Sequence, residues 1–303
     1  MSATPSGEQF HIGAGDHEVT IVEVGAGIRS YTVGGQEVLD GYAVTDRCTG
    51  ARGLPLIPWP NRIADGAYTF DGVDYQVPIT EPASHNAIHG FLRWRNWTAR
   101  EHSADRVVMG TVLHPMMGYP FTLDVSVDYS IGRTGLTVRT TATNLGDQPC
   151  PYGAGQHPYL TLGTDLVDPC TLHLDAARWL PTDDRGLPTG TEPVAGSAYD
   201  FRTGRQIGAQ DIDYTFTDLA RDDDGRAWVH LSAPNDRSVG VWLDPSYSFV
   251  EIYTAHTQPE PYWRRGLGVE PMTCAPNAFA SGDGLLRLDP GESTVGTWGI
   301  RPG

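Results

Sequence analysis

From Phe121 to Ile131 apolar and polar residues alternate. Phe121, Leu123, Val125, Val127, Tyr129 and Ile131 share one parity, the period-2 signature of a strand with one buried face. A turn-forming Gly132-Arg133-Thr134-Gly135 follows. Leu136, Val138 and Ala142 then keep a single parity through Leu136–Asn144, so the two runs predict an antiparallel hairpin. Tyr68–Phe70 and Val73–Val77 predict another, across Asp71-Gly72, a favoured two-residue turn pair. Further strands are predicted at Val19–Val24, Ile28–Val33, Val107–Leu113, Trp228–Leu231, Val239–Leu243, Phe249–Thr254 and Val295–Ile300. Helical periodicity is confined to short segments near Gln206–Ala209 and Ala278–Gly282. Ten or more short strands separated by Gly/Pro turns predict an all-β protein, a large antiparallel β-sandwich with few short helices. The Pro/Gly stretch Leu180–Ser197 reads as a long surface loop, because strand-like sequence resumes on both sides. Residues 1–303 therefore read as a single domain, with residues 1–8 a mobile tail.

Composition agrees with this picture and narrows the chemistry. The 36 glycines and 23 prolines supply the turns. No run approaches the ~18–20 apolar residues of a membrane span. The N-terminus has neither the positive nor the apolar region of a secretory signal. The four cysteines, Cys48, Cys150, Cys170 and Cys274, form no CxxC pair; they read as reduced and buried in a cytoplasmic protein. All 21 basic residues are arginine, against 37 Asp and Glu, for a formal net charge of −16. The absence of lysine excludes Schiff-base and pyridoxal chemistry, P-loop nucleotide binding and protein-kinase chemistry. The acidic balance, without any basic run, argues against nucleic acid. Ten histidines are present, but with no HExxH or His-x-His pair no metal site is expected. A serine hydrolase is disfavoured by the lack of Gly-x-Ser-x-Gly.

Four clusters place polar residues inside apolar, turn-rich sequence. Pro58-Trp59-Pro60-Asn61-Arg62-Ile63 fixes the backbone around an aromatic and then presents an Asn and an Arg. Such an arginine fork suits a sugar hydroxyl or an anion; a structural salt bridge is the alternative. Asn86-Ala87-Ile88-His89-Gly90 carries a histidine that, alone, would be more often structural than functional. Gly153-Ala154-Gly155-Gln156-His157-Pro158-Tyr159 displays an imidazole and a phenol on a rigid loop, a plausible acid site; a turn in which His157 only bonds backbone is equally compatible. In Val269-Glu270-Pro271-Met272-Thr273-Cys274-Ala275-Pro276-Asn277-Ala278-Phe279, a carboxylate sits in an apolar segment, where desolvation would raise its pKa toward that of a useful base. The alternative is an ion pair with Arg264 or Arg265.

Taken in order and spacing, these segments resemble the aldose 1-epimerase (galactose mutarotase) family. Pro-Asn-Arg-Ile at 60–63, Tyr-x-Phe-x-Gly-x-x-Tyr at 68–75 and Asn-Ala-Ile-His-Gly at 86–90 match its N-terminal half. Gly-x-Gly-x-His-Pro-Tyr at 153–159, Asp213-Tyr214-Thr215-Phe216 and Glu-Pro-Met-Thr-x-x-Pro-Asn-Ala-Phe at 270–279 match the rest. The resemblance implies a galactose mutarotase-like sandwich that interconverts the anomers of a free aldose without a cofactor. It implies that His157 donates a proton to the ring oxygen and that Glu270 takes one from the C1 hydroxyl. It further implies that Asn61, Arg62, His89, Tyr159 and Asp213 bind the sugar. The small-molecule sugar is then the partner, with no nucleic acid or membrane, and the chain a monomer or homodimer.

One position departs from the family pattern. Glu251 stands where many members carry a glutamine that contacts the sugar, which leaves the usual galactose or glucose preference open. The Pro-Trp-Pro-Asn-Arg form is also similar to a bacterial branch that includes a mutarotase for the sulfonated sugar sulfoquinovose, although Glu251 would repel an adjacent anion. A hexose-6-phosphate or sulfosugar mutarotase is therefore the alternative, and would need arginines such as Arg93, Arg95, Arg264 or Arg265 at the site. A non-catalytic sugar-binding protein on the same fold is another. Trp59 reads as nearer to core than to ligand.

Overall fold

The computed structural model describes residues 4–303. Among them the strands form two large antiparallel sheets. One has nine strands, in spatial order Thr98–His102, Arg106–Leu113, Leu123–Gly132, Gly135–Asn144, Ser293–Pro302, Ser238–Leu243, Ala227–Ser232, Thr171–Leu174 and Arg205–Gln206. The predicted hairpin lies at its middle, with Val127 opposite Thr140 and Tyr129 opposite Val138. The second sheet has eight strands. Its order is Glu192–Pro193, Ala176–Leu180, Asp213–Leu219, Phe249–Tyr253, Leu267–Met272, Gly155–Gln156 and Pro55–Leu56, with Tyr159–Leu160 also pairing on Leu267–Met272.

Alternation explains how the sheets join. Val125, Val127 and Tyr129 of the first sheet and Val250, Ile252 and Val269 of the second belong to one buried apolar cluster. Tyr129 carries a polar tip into that core. Its hydroxyl donates to the Ala26 carbonyl at 2.6 Å and lies 3.1 Å from Gln156 Nε2 of the opposite sheet, so burying it leaves no unpaired oxygen. The β-sandwich expected from the spacing of strands is what the chain forms. Trp59 is core, edge-on to Phe91 and Phe279. All four cysteines are buried and free. No helix among the described residues is long and apolar enough to cross a membrane.

Some local expectations shift. Gln206–Ala209 is not helical: Arg205–Gln206 pairs with Thr171–Leu172 at the sheet edge, between Gly204 and Gly208, whose positive φ values of 73° and 60° break any helix. Ala278–Ser281 does make one helical turn, ended by Gly282 at φ 82°. The Leu180–Ser197 stretch holds one short strand, Glu192–Pro193. Of the expected tail, residues 1–3 lie outside the described residues. From Ser6 the chain is tied down: its carbonyl accepts from Val24 N–H at 3.1 Å and that of Glu8 from Glu23 N–H at 2.9 Å.

Gly53 connects the fold to the site. It sits at φ +73°, and a Cβ there would lie 2.0 Å from the Ile28 carbonyl oxygen. Its N–H donates to the His157 carbonyl at 2.8 Å, and its own carbonyl accepts from Ile28 N–H and Gln156 Nε2. Gly53→Ala is expected to lower stability by at least about 2 kcal/mol, through strain and loss of this seat. A urea midpoint equal to that of the parent chain would contradict the assignment.

Candidate active site

The site is built on the face of the eight-stranded sheet that points away from the core. Thr215 is opposite Glu251, and Glu251 is opposite Glu270. On the next strand Gly155 is opposite Met272 and Tyr159 opposite Gly268. Carrying that antiparallel register through the loop puts His157 opposite Glu270. One row therefore crosses the sheet: Thr215, Glu251, Glu270, His157. A parallel row runs Asp213, Tyr253, Gly268, Tyr159. Gly268 gives the second row its shape, since a Cβ there would meet Tyr253 Cβ at 3.1 Å; the rings of Tyr159 and Tyr253 come together at 6.1 Å, edge to face. Intervening residues, among them Val250, Ile252 and Val269, point into the core, as strand alternation requires.

Asn61 and His89 come from outside this sheet, next to the paired segments Arg62–Ala64 and Asn86–Ile88. Both adopt positive φ, 52° and 63°, uncommon for a histidine and a frequent mark of functional loops. They hold each other. His89 N–H donates to the Asn61 carbonyl at 2.9 Å, and Asn61 N–H donates to His89 Nδ1 at 3.2 Å. Nδ1 is thus the acceptor nitrogen, which leaves Nε2 as the N–H of a neutral ring. A cavity of about 400 Å³ opens here, and Asn61, Arg62, His89, His157, Tyr159, Asp213 and Glu270 all line it. Seven of the eight candidates from sequence thus converge. Glu251 is not among the lining residues; beside Glu270 in the row, it is 3% exposed and accepts from the Thr215 hydroxyl.

His157 Nε2 and Glu270 Oε1 are 3.0 Å apart. The two residues are 5% and 2% exposed. His157 Nδ1 and Glu270 Oε2 have no partner among the described residues, so each group has a spare position for a ligand. Tyr159 stacks on the His157 ring at 4.8 Å and donates its hydroxyl to the Gly50 carbonyl at 2.9 Å, which fixes the imidazole plane. The alternative ion pairs for Glu270 do not form: Arg264 pairs with Asp168 and Asp211, and Arg265 with Asp40.

Burial sets the charge states. It lowers His157 to about 3, with Arg52 and Arg93 adding to the effect. It also lowers His89 well below an ordinary imidazole, helped by His157, Arg93 and Arg62. The Glu270 carboxyl is pushed well up by burial and then by Glu251 and Asp213, against the pull of Arg62. Glu251 rises for the same first reason, then through Asp213. Asp213 rises through burial, opposed by Arg62 and His256. Three carboxyl groups on one buried face cannot all ionise. Asp213 is, after burial, a cause of the rise at Glu251, and Glu251, the more deeply buried of the two, is the one that keeps its proton. The 3.0 Å contact between His157 and Glu270 works against burial by favouring an imidazolium–carboxylate pair, but two desolvated groups at this depth hold their one shared proton on the carboxyl.

Sequence reasoning missed several participants. Glu81 takes the Arg62 guanidinium as a fork, at 3.0–3.3 Å, and is itself held by Asn86 Nδ2 at 3.0 Å. Nothing in its local sequence marks it. Tyr253 was detectable, since alternation along Phe249–Tyr253 puts it on the face of Glu251. The 47–51 loop also lines the cavity, with no motif to announce it. Donor atoms of His89, His157 and Glu270 lie within 4.8 Å of one another. Two imidazoles and a carboxylate are suitable ligands for a divalent ion, a juxtaposition hidden by their distance in sequence. An ion there would occupy the space between the proposed acid and base.

The family model described as aldose 1-epimerase matches residues 8–301. The chain is 38% identical to the YihR protein of Escherichia coli K12, described only as uncharacterized, over 95% of this chain and 91% of that one. It is 30% identical to an aldose 1-epimerase of the same organism over 52% of this chain, and 31% identical to pig galactose mutarotase over 49%. The matches cover 47% and 44% of those two enzymes. The fold is that of a GalM/aldose epimerase homologue from C. elegans, with a TM-score of 0.88 at 20% identity, covering 98% of both chains.

A testable consequence follows from the crowding of carboxyls. The folded pKa of Glu251 is raised above its ordinary 4.5, so the folded state holds a proton that the unfolded chain gives up as pH rises. Its burial therefore destabilises the fold progressively above about pH 4.5 and not below it. Glu251→Gln keeps an acceptor for the Thr215 hydroxyl without the titration. Its urea midpoint is expected to exceed that of the parent near pH 8 and to equal it near pH 4. A variant less stable than the parent near pH 8 would show that Glu251 is needed as a carboxylate.

Proposed function

Because the chain belongs to the aldose 1-epimerase family, we propose that it interconverts the α and β anomers of a free aldose, with His157 as general acid, Glu270 as general base and no cofactor. The observation that carries this reading is the buried contact between His157 Nε2 and Glu270 Oε1, 3.0 Å apart at the wall of a polar-lined cavity. An acid and a base so close, each with an unpartnered position, suit a reaction that exchanges one proton at each of two neighbouring oxygens.

Mutarotation breaks the bond between C1 and the ring oxygen and remakes it on the other face. Glu270 takes the proton of the C1 hydroxyl as the C1–ring oxygen bond breaks. His157 gives its proton to the departing ring oxygen, and the product is an open-chain aldehyde with one hydroxyl more on C5. Rotation about C1–C2 and the reverse transfers close the other anomer. The pair needs one proton throughout. It passes from carboxyl to imidazole across the 3.0 Å contact before opening, and opening returns the pair to a neutral imidazole and a carboxylic acid. That form is the one burial favours, so opening returns the pair to its resting protonation state. Concerted help avoids both a free oxocarbenium and a free alkoxide, each positioned group typically contributing ~10²–10⁴-fold.

The remaining residues grip the sugar away from C1. His89 offers Nε2–H as a donor, Asp213 an acceptor, and Arg62 is held in place by Glu81. Glu251, between Thr215 and Glu270 in the row across the sheet, backs the carboxyl of Glu270. His157→Asn and Glu270→Gln are each expected to lower anomer exchange at least about a hundredfold, with urea unfolding still cooperative. Polarimetry from a freshly dissolved single anomer reads this. Exchange within a few-fold of the parent in either variant would overturn the acid–base assignment.

A further inference from the structure

Arg52 is 2% exposed and does not line the cavity, yet it stands one step from the acid. The His157 ring stacks on Tyr159 at 4.8 Å, with 15° between the planes. The Arg52 guanidinium carbon lies over that same Tyr159 ring, 4.4 Å from its centre, and over the Tyr262 ring at 4.1 Å. Arg265 lies over Tyr262 in turn, at 4.7 Å. Flat groups thus run in contact from the cavity wall to the half-buried Arg265. Asp40 fastens this run at its middle. Its carboxylate, 1% exposed, accepts from Arg52 Nη2 at 3.2 Å and from Arg265 Nε at 2.6 Å. Its backbone N–H donates to the Tyr159 carbonyl at 2.8 Å. Arg52 Nη1 donates to the Thr49 carbonyl at 3.2 Å, in the loop whose Gly50 carbonyl takes the Tyr159 hydroxyl. One cluster therefore holds both the ring and the main chain of Tyr159.

A buried Arg–Asp pair seldom stabilises a fold more than apolar packing would, and Arg52 Nε is left without an acceptor. An apolar side chain of the same size would fill the space without desolvating a charge. What the arginine adds is a flat cation that matches the faces of two rings and bonds at its edge to Asp40 and Thr49. A ring seated on such a group tilts only by breaking those contacts, and the imidazole stacked on the ring tilts with it. That orientation matters to the pair, because His157 Nε2 has to point at Glu270 Oε1, 3.0 Å away. A hydrogen bond weakens steeply with misalignment. We propose that Arg52, clamped by Asp40, is a positioning residue for His157, acting through the Tyr159 ring to hold the imidazole in line with Glu270. Its effect on turnover rests on the mutarotase reading; its effect on the ring does not.

NMR exchange spectroscopy at anomeric equilibrium tests this with D-glucose, D-galactose, glucose 6-phosphate and glucose sulfonated at C6, using whichever the parent exchanges fastest. Arg52→Met should lower kcat at least about tenfold, since small misplacements of a reacting group are costly. KM should stay within about threefold, because Arg52 does not reach the cavity. The Arg52 charge also disfavours a proton on His157, and Arg52→Lys separates that from packing: with the charge but not the flat fork, it should recover only part of kcat. In a Tyr159→Leu background Arg52→Met should cost nothing further, as the relay is already gone. A kcat within about twofold of the parent, or a loss carried by KM, overturns the assignment. So does full recovery in Arg52→Lys, or additive losses in the double variant. Where Arg52→Met does not fold, Arg52→Lys takes its place in the cycle. If the parent exchanges none of these sugars, it is the mutarotase reading that fails, and the His157 ring protons decide instead. Displaced by the Tyr159 ring current in the parent, their resonances should move toward those of an unstacked imidazole in Arg52→Met. Unchanged resonances overturn the positioning role.

Discussion

The structure depends on one register. Gly155 opposite Met272 and Tyr159 opposite Gly268 force His157 to stand opposite Glu270, and the neighbouring pairing puts Glu251 on the other side of the same glutamate. A slip of one residue would turn Glu270 into the apolar core and Val269 into the cavity. The core cluster that holds Val250, Ile252 and Val269 therefore also fixes the acid–base pair. Gly53 seats the loop carrying His157 from below, and Tyr159 stacks on it from the side.

The same register concentrates negative charge. Asp213, Glu251 and Glu270 share one buried face, and Arg62, forked on Glu81, only partly answers them. Burial raises all three carboxyls, so that they do not all ionise, and it keeps both histidines neutral. The site thus holds one proton within a His157–Glu270 contact shielded from water, placed to move between two sugar oxygens.

Much of this was legible in the chain. Period-2 runs such as Phe121–Ile131 located the central hairpin, and motif clusters far apart in sequence pointed to seven residues that line one cavity. Local pattern could not supply the pairing partners. Nothing near Glu81 signals that it holds Arg62, because that contact depends on how the 80–88 segment folds back on strand Arg62–Ala64. Glu251 was expected to contact the sugar; it is 3% exposed and absent from the cavity lining, and its place between Thr215 and Glu270 follows from the cross-strand row, which only tertiary structure reveals.

The central claim is that His157 and Glu270 hold one proton between them in a water-excluded contact, with burial favouring the neutral forms. Site-resolved NMR titration of the His157 ring nitrogens and the Glu270 carboxyl carbon tests it most directly. The imidazole should remain neutral well below its ordinary pKa of 6.5, taking a proton only toward about 3, while the carboxyl stays protonated above its ordinary 4.5. An imidazolium near pH 6 facing a carboxylate that ionises at or below its ordinary pKa would contradict the account.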